Sequence, residues 1–143
     1  ITVGRNAKVK SIDIINGNIN IGDFSEAYSL ESVNGNIDVG ENVVIIRGIK
    51  VVNGSVDIQQ GTNVGTDLIA SNGDVTLATK SVVKGNIIFE NTFFSSKMGK
   101  TPSLIMAEGA AIKGRIHLHR KVIVVLPDSI SLDKVVKHYL GNK

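Results

Sequence analysis

A seven-residue pattern recurs along this chain at an almost constant interval, and it limits the possible folds more than any other feature. In each copy an Asn-Gly pair is followed by a polar residue and then by two aliphatic residues with one polar residue between them. The Asn residues are Asn16, Asn34, Asn53 and Asn72, so the intervals are 18, 19 and 19 residues. A turn repeated at this period is typical of a solenoid, in which each repeat forms one coil.

Aliphatic residues hold fixed positions on either side of each Asn. Around Asn16 they are Ile12 and Ile14 before it, and Ile19 and Ile21 after it. Alternation of this kind predicts two strands per repeat, each with one buried face. A third strand is predicted at a weaker apolar position, represented by Val9, Ala27, Val44 or Ile45, Val64 and Val83.

The predicted fold is all-β: a single-stranded, right-handed parallel β-helix (β-solenoid) of about six coils with three short strands per coil. It forms one domain over residues 1–143. Asn-Gly also marks hairpins, but the units here are copies in one orientation without a complementary partner strand. Parallel crossovers are right-handed in nearly all structures. The left-handed helices of hexapeptide acyltransferases need a six-residue regularity that this chain lacks.

The composition favours a dry aliphatic interior and excludes some chemistry. Hydrophobic residues make up 42% of the chain but aromatic residues only 4%, so the core must use Ile, Val and Leu, of which Ile and Val are enriched in strands. Without cysteine there is no disulfide, thiolate metal site or cysteine nucleophile. No apolar run is long enough to cross a bilayer. Because the chain starts at Ile1 rather than Met, we expect a processed or trimmed product whose leader has been removed.

The repeat is interrupted once. Nineteen residues after Asn72 comes Asn91, but Thr92 stands where Gly is expected, and the aliphatic pattern resumes only at Leu104 and Met106. Residues 93–102 are therefore predicted to form a loop insert that leaves the solenoid at this corner.

The C-terminal part continues the count and then departs from it. Arg120 takes the position of the corner Asn, and Ile123 and Val125 are expected to face inward. Residues 131–143 are predicted to cap the array, as a short helix with Ser131 as its N-cap or as a last irregular strand. The apolar residues with helix-like spacing are Leu132, Val135, Val136, Tyr139 and Leu140.

The repeated Asn-Gly pair is interpreted as structural. Both residues adopt positive φ easily, so the pair makes a sharp corner, and stacked Asn side chains can hydrogen-bond along an array. A ligand would not be expected to bind at five equivalent places. The members of this corner ladder are Asn16, Gly17, Asn34, Gly35, Asn53, Gly54, Asn72, Gly73 and Asn91.

Two segments are the candidates for binding a partner. Loops on a rigid scaffold often carry binding determinants, so the insert could touch a membrane surface or a partner protein, or pack on its own solenoid. A late basic cluster could meet phosphate, anionic lipid or acidic polysaccharide, or could simply keep that face solvated. The residues are Phe93, Phe94, Lys97, Met98 and Lys100 in the insert, and Lys113, Arg115, Arg120 and Lys121 in the cluster.

Catalytic and metal-binding patterns are weak. Asp38 and Asp57 occupy equivalent positions on adjacent coils, and such a pair could share a cation or serve a polysaccharide-binding face, or could be an ordinary outward polar row. His117 and His119 could bind a metal as a pair, but no third ligand is apparent, although Glu90 would lie one coil below His119. We therefore predict no catalytic residue, no metal and no cofactor.

An outward apolar stripe is the third functional possibility. Ile15, Val33 and Val52 each precede a corner Asn, and together they could support oligomerisation.

The copies at Asn16, Asn34, Asn53 and Asn72, with the insert and the closing coil, resemble the bactofilin-like, polymer-forming small β-helix proteins of bacteria. The resemblance implies a non-catalytic scaffold of the bacterial cell envelope, in the periplasm or on the surface, that is self-assembling or adhesin-like. A cytoplasmic location stays open. Self-association is expected, with protein, envelope polysaccharide or a membrane surface as further partners and no nucleic acid. The polar segment 134–143 departs from the family and argues against free polymerisation.

The alternative function is that of a carbohydrate-binding or polysaccharide-degrading β-helix that uses the acidic pair Asp38 and Asp57.

Overall fold

A computed structural model describes residues 1–90 and 101–138. This part of the chain is a parallel β-solenoid of about seven turns with three strands per turn. The all-β prediction is thus confirmed, with one turn more than expected. The difference lies in the two end coils, which the count from the sequence treats as part-coils. The right hand of the coil stays a prediction.

Each coil contributes strands in a fixed order. The first three coils are β1 (Thr2–Val3), β2 (Lys8–Val9) and β3 (Ile12–Asn16), then β4 (Ile19–Ile21), β5 (Glu26–Ala27) and β6 (Leu30–Asn34), then β7 (Ile37–Val39), β8 (Val44–Ile45) and β9 (Ile49–Asn53). The next two are β10 (Val56–Ile58), β11 (Asn63–Val64) and β12 (Leu68–Ala70), then β13 (Val75–Leu77), β14 (Val82–Val83) and β15 (Ile87–Phe89). The last two are β16 (Ser103–Met106), β17 (Ala111–Ile112) and β18 (Ile116–Leu118), then β19 (Ile123–Val125) and β20 (Val135–Lys137).

The strands stack into three parallel sheets, one along each side of the solenoid. Sheet A runs from β1 to β19, sheet B from β2 to β17 and sheet C from β3 to β20. Each sheet takes every third strand, except that β18 is followed in sheet C by β20. Equivalent repeat positions are directly paired, as Ile37, Val56 and Val75 are in sheet A. The repeat count in the sequence is therefore the register of the sheets.

The core is aliphatic, as the composition predicts. Side chains of Ile19, Ile37, Val56 and Val75 are fully buried, and burying such a side chain stabilises the fold by about 1.5–3 kcal/mol. In the third coil Ile45 rather than Val44 faces inward, which resolves the choice left open by the sequence.

The register resumes after the interruption as predicted. Leu104 pairs with Val75 and Met106 with Leu77, and both side chains are buried. Of the predicted insert 93–102, residues 93–100 lie outside the described residues. Pro102 is already part of the solenoid: it is buried, and its carbonyl oxygen accepts a hydrogen bond from the Ile123 amide at 2.9 Å.

The predicted inward positions in the last coil are wrong. Ile123 and Val125 are 55% and 50% exposed, whereas Val124 pairs with Leu104 and packs against the core. The Arg120 corner is one residue longer than the Asn72 corner, since Val124 comes six residues after Leu118 while Val75 comes five after Ala70. A shift of one residue moves every side chain of a strand to its other face.

The C-terminal segment combines both predicted alternatives. A single 3₁₀ turn, Leu132–Lys134, begins at Ser131, whose side chain accepts a hydrogen bond from the Asp133 amide. Strand β20 follows and pairs with β18. The helix-like spacing of Val135 and Val136 is therefore misleading, because sheet C continues through them; residues 139–143 lie outside the description. Within residues 1–90 and 101–138, no helix is long and apolar enough to cross a membrane.

Candidate functional site

The corner ladder is a continuous row of side-chain amides. Nδ2 of Asn34 donates to Oδ1 of Asn16 at 3.0 Å, Nδ2 of Asn53 to Oδ1 of Asn34 at 2.9 Å, and Nδ2 of Asn72 to Oδ1 of Asn53 at 2.7 Å. Each interior Asn thus satisfies a donor and an acceptor with its two neighbours. These side-chain amides hold one coil on the next. Asn91, the fifth predicted member of the ladder, lies outside the described residues.

Arg120 closes this row from the far side of the interruption. Its Nη1 donates to Oδ1 of Asn72 at 2.6 Å and to the Ser71 carbonyl oxygen at 3.2 Å. Burial lowers the pKa of the Arg120 guanidinium from its ordinary value. The sequence places Arg120 correctly at the Asn position and also among the partner-binding residues, but its guanidinium is engaged with the solenoid itself.

A second row of corner hydrogen bonds runs beside the first, and the sequence interpretation missed it. The Asn36 amide donates to Oδ1 of Asn18 at 2.8 Å, the Ser55 amide to Oδ1 of Asn36 at 2.9 Å, and the Ser103 amide to Oδ1 of Asp74 at 3.0 Å. These residues all stand two positions after the corner Asn or its equivalent. The recurrence of short polar residues at that position was the available sequence signal.

Asp38 and Asp57 lie side by side on the outer face of sheet A. They are directly paired, and Asn20 and Thr76 flank them in the same row. Desolvation, then the charge of Asp57 and a hydrogen bond with it, raise the pKa of Asp38 above its ordinary value. A pair of this kind can share a proton or attract a cation.

All three histidines of the chain meet at the end of sheet C. Nδ1 of His117 lies 3.0 Å from Nε2 of His138, with ring centroids 5.2 Å apart. The rings of His119 and His138 stack at 4.5 Å and 11°. The sequence paired His117 with His119 and did not include His138, although His138 follows His119 by 19 residues, the repeat period. In residues 1–90 and 101–138, no group of three or more His, Asp or Glu side chains is placed to hold a metal.

Beside the histidines is an open groove of about 500 Å³, which we call the C-terminal basic groove. Its charged and polar lining residues are Lys113, Arg115, His117, Lys134, Asn86 and Asp133. Two of the four basic residues singled out in the sequence, Lys113 and Arg115, therefore lie together. Lys121 is exposed and is not part of the groove lining, while Arg120 belongs to the corner ladder.

The remaining candidates are the residues of the insert and the predicted apolar stripe. Phe93, Phe94, Lys97, Met98 and Lys100 lie outside the described residues. In the predicted apolar stripe Ile15 is 67% exposed, whereas Val33 and Val52 are half-buried. A larger exposed apolar group is found on sheet A, where Ile105, Ile123 and Val125 are 41%, 55% and 50% exposed.

Comparisons with protein-family models, curated proteins and solved structures found no match.

Proposed function

We propose that this protein is a non-catalytic β-solenoid scaffold of the bacterial cell envelope that assembles with copies of itself. The observation that carries the proposal is the apolar outer surface of the last strands of sheet A. Ile105 pairs with Val125 across β16 and β19, and Ile123 is exposed on the same face. A contiguous exposed apolar surface of this kind marks an interaction site more often than isolated exposed residues do.

A second copy is the occupant that fits this surface. Among the described strands, β19 is the last of sheet A, so it presents one unpaired edge. An edge strand can pair with the same strand of a copy related by a two-fold axis, which gives each copy the same contact. The Ile123 and Val125 side chains of both copies would then form one continuous apolar surface on the joined sheet.

The hydrogen-bonded rows support a scaffold role. From Asn16 to Asn72 each corner side chain bonds to the next, and Arg120 bonds to Asn72 from two corners further along the solenoid. A solenoid held in this way is a stiff rod in which each coil contacts only its neighbours. The resemblance to bactofilin-like proteins supports the envelope location and the assembly of such rods.

Light scattering over a wide concentration range tests the proposal. We expect the wild-type protein to associate as its concentration rises, and Ile123→Lys/Val125→Lys to remain monomeric, because two buried lysines would oppose the contact. Ile15→Lys changes an even more exposed isoleucine in the first coil and should associate like the wild type. A wild-type protein that is monomeric throughout would overturn the proposal; loss of association only in Ile15→Lys would move the contact to the stripe.

The second candidate function is polysaccharide binding or cleavage through Asp38 and Asp57, favoured by the raised pKa of Asp38. A carboxyl group with a raised pKa next to a second carboxyl group is a feature of acid–base sites. A polysaccharide-binding assay with Asp38→Ala/Asp57→Ala separates the two functions. Unchanged binding, or no binding by the wild type, removes this candidate.

A further inference from the structure

We infer that the C-terminal basic groove binds the acidic sugar units of a polysaccharide. The inference deepens the proposed function, since it rests on the protein being a non-catalytic interaction module and names what it would bind in the envelope. The groove lies between the β17–β18 corner and the 3₁₀ turn Leu132–Lys134. Unlike the acidic pair Asp38 and Asp57, the groove offers cationic side chains.

The backbone at the base of the groove is fixed by hydrogen bonds. The Arg115 amide donates to Oδ1 of Asn86 at 2.8 Å, and the Gly114 amide donates to the Gly85 carbonyl oxygen at 3.0 Å. Lys113 and Arg115 therefore project from a rigid corner rather than from a mobile loop. A site on a fixed backbone binds a ligand without the entropy loss of ordering a loop.

Lys134 brings a third cation to the groove from the opposite wall. Its Nζ donates to the carbonyl oxygens of Ile112 and Gly114, each at 3.1 Å. Nη1 of Arg115 reaches the Asp133 carbonyl oxygen at 3.5 Å, a long contact that a ligand anion could replace. The ammonium of Lys134 is thus held in place, while the Arg115 guanidinium is only weakly engaged.

The balance of charge favours an anion. The groove has three basic side chains and one carboxylate, that of Asp133, an excess of two positive charges. The whole chain has a formal net charge of only +3. The excess of two positive charges in this one groove is thus two thirds of the net charge of the chain.

The other groups in the wall favour a sugar over a bare anion. Asp133 offers a carboxylate and Asn86 a carboxamide, which suit the hydroxyl groups of a sugar ring. The His117 imidazole is held in place by His138 and adds a ring nitrogen to the wall. An acidic sugar presents an anion and several hydroxyls together, which matches this mixture of cations, carboxylate and amide.

Calorimetric titration with oligogalacturonate, an unbranched carboxylated glycan, tests the inference. We expect binding by the wild-type protein, no binding of neutral cello-oligosaccharides of the same length, and little competition by inorganic phosphate. Lys113→Gln/Arg115→Gln should weaken binding by about tenfold or more, because it removes two charge-assisted hydrogen bonds. Lys113→Gln alone should show a smaller loss and serves if the double variant does not fold.

Lys8→Gln/Lys10→Gln is the matched control. It removes the same charge from exposed residues in the first coil and should bind like the wild type. An equal loss in this control would overturn the inference, because binding would then follow net charge alone. Equal competition by phosphate would also overturn it in favour of a simple anion site. Absence of wild-type binding overturns the groove proposal while leaving self-association intact, whereas cleavage of the glycan would overturn the non-catalytic function instead.

Discussion

At the scale of single residues, each Asn-Gly corner stacks on the preceding one through both side chain and backbone. The Gly17 amide donates to the Asn34 carbonyl oxygen at 2.9 Å, and the Gly35 amide to that of Asn53 at 3.0 Å. The glycines are packed so closely that a Cβ on Gly35 would collide with the Gly17 carbonyl oxygen. Stacking of the backbone, as well as the sharp turn, therefore demands glycine here.

Replacing Gly35 and Gly17 by alanine separates these two demands. Both residues have positive φ, 157° and 144°, but a Cβ on Gly17 would meet only the Ile14 side chain, at 3.5 Å. We expect Gly35→Ala to lower the free energy of unfolding by ~2 kcal/mol more than Gly17→Ala, as overpacking against backbone does. Urea denaturation measures both values. Equal losses would show that the turn conformation alone requires glycine.

Sequence reasoning was strong for residues that repeat and weak for those that do not. Asn16 to Asn72 could be predicted as a ladder because four copies carry the same residue in the same place. Arg120 occurs once, so its position was found by counting but its bond to Asn72 was not. His138 was missed because it lies in a segment interpreted as a cap, although the 19-residue period places it next to His119.

At the scale of secondary-structure elements, β16 and β19 show what fixes a register. The register of β16 could be predicted across the interruption because Leu104 lies eight residues before Ile112, as Val75 lies eight before Val83. In β19 the five residues 122–126 are all apolar. Without alternation the sequence does not say which side chains face inward, and the longer Arg120 corner then decides the register.

Alanine substitutions in β19 test this assignment. Val124 packs against the core, whereas Ile123 is more than half exposed. We expect Val124→Ala to lower the free energy of unfolding by about 1–2 kcal/mol, and Ile123→Ala to change it by no more than ~0.5 kcal/mol. The comparison is made by chemical denaturation at a concentration where both variants are monomeric. The opposite order would restore the register counted from the sequence.

At the scale of the whole molecule, the core is complete in the middle coils and thinner at both ends. The apolar side chains of coils two to six are mostly fully buried, but those that pack only partly against the core belong to the first and last coils: Ala7, Val9, Ile12, Ile14, Val124, Leu126 and Val135. Since each coil of a solenoid is stabilised mainly by its neighbours, the end coils lack part of the stabilisation that the middle coils have. The seven-coil array should therefore open from its ends.

Hydrogen exchange of two matched amides tests this gradient. The Val56 amide in β10 donates to the Asp74 carbonyl oxygen at 2.9 Å, and the Ile123 amide in β19 donates to that of Pro102 at the same distance. Because the bonds are equal in length, a difference in protection reports the free energy of opening rather than bond geometry. We expect the opening free energy of Ile123 to be at least ~2 kcal/mol below that of Val56, measured by NMR at low protein concentration so that self-association does not cover β19. Equal values would mean that all coils open in one cooperative step, and association at higher protein concentration would then protect both amides equally. If the ends open separately and β19 is the contact between copies, the rise in protection should be confined to Ile123.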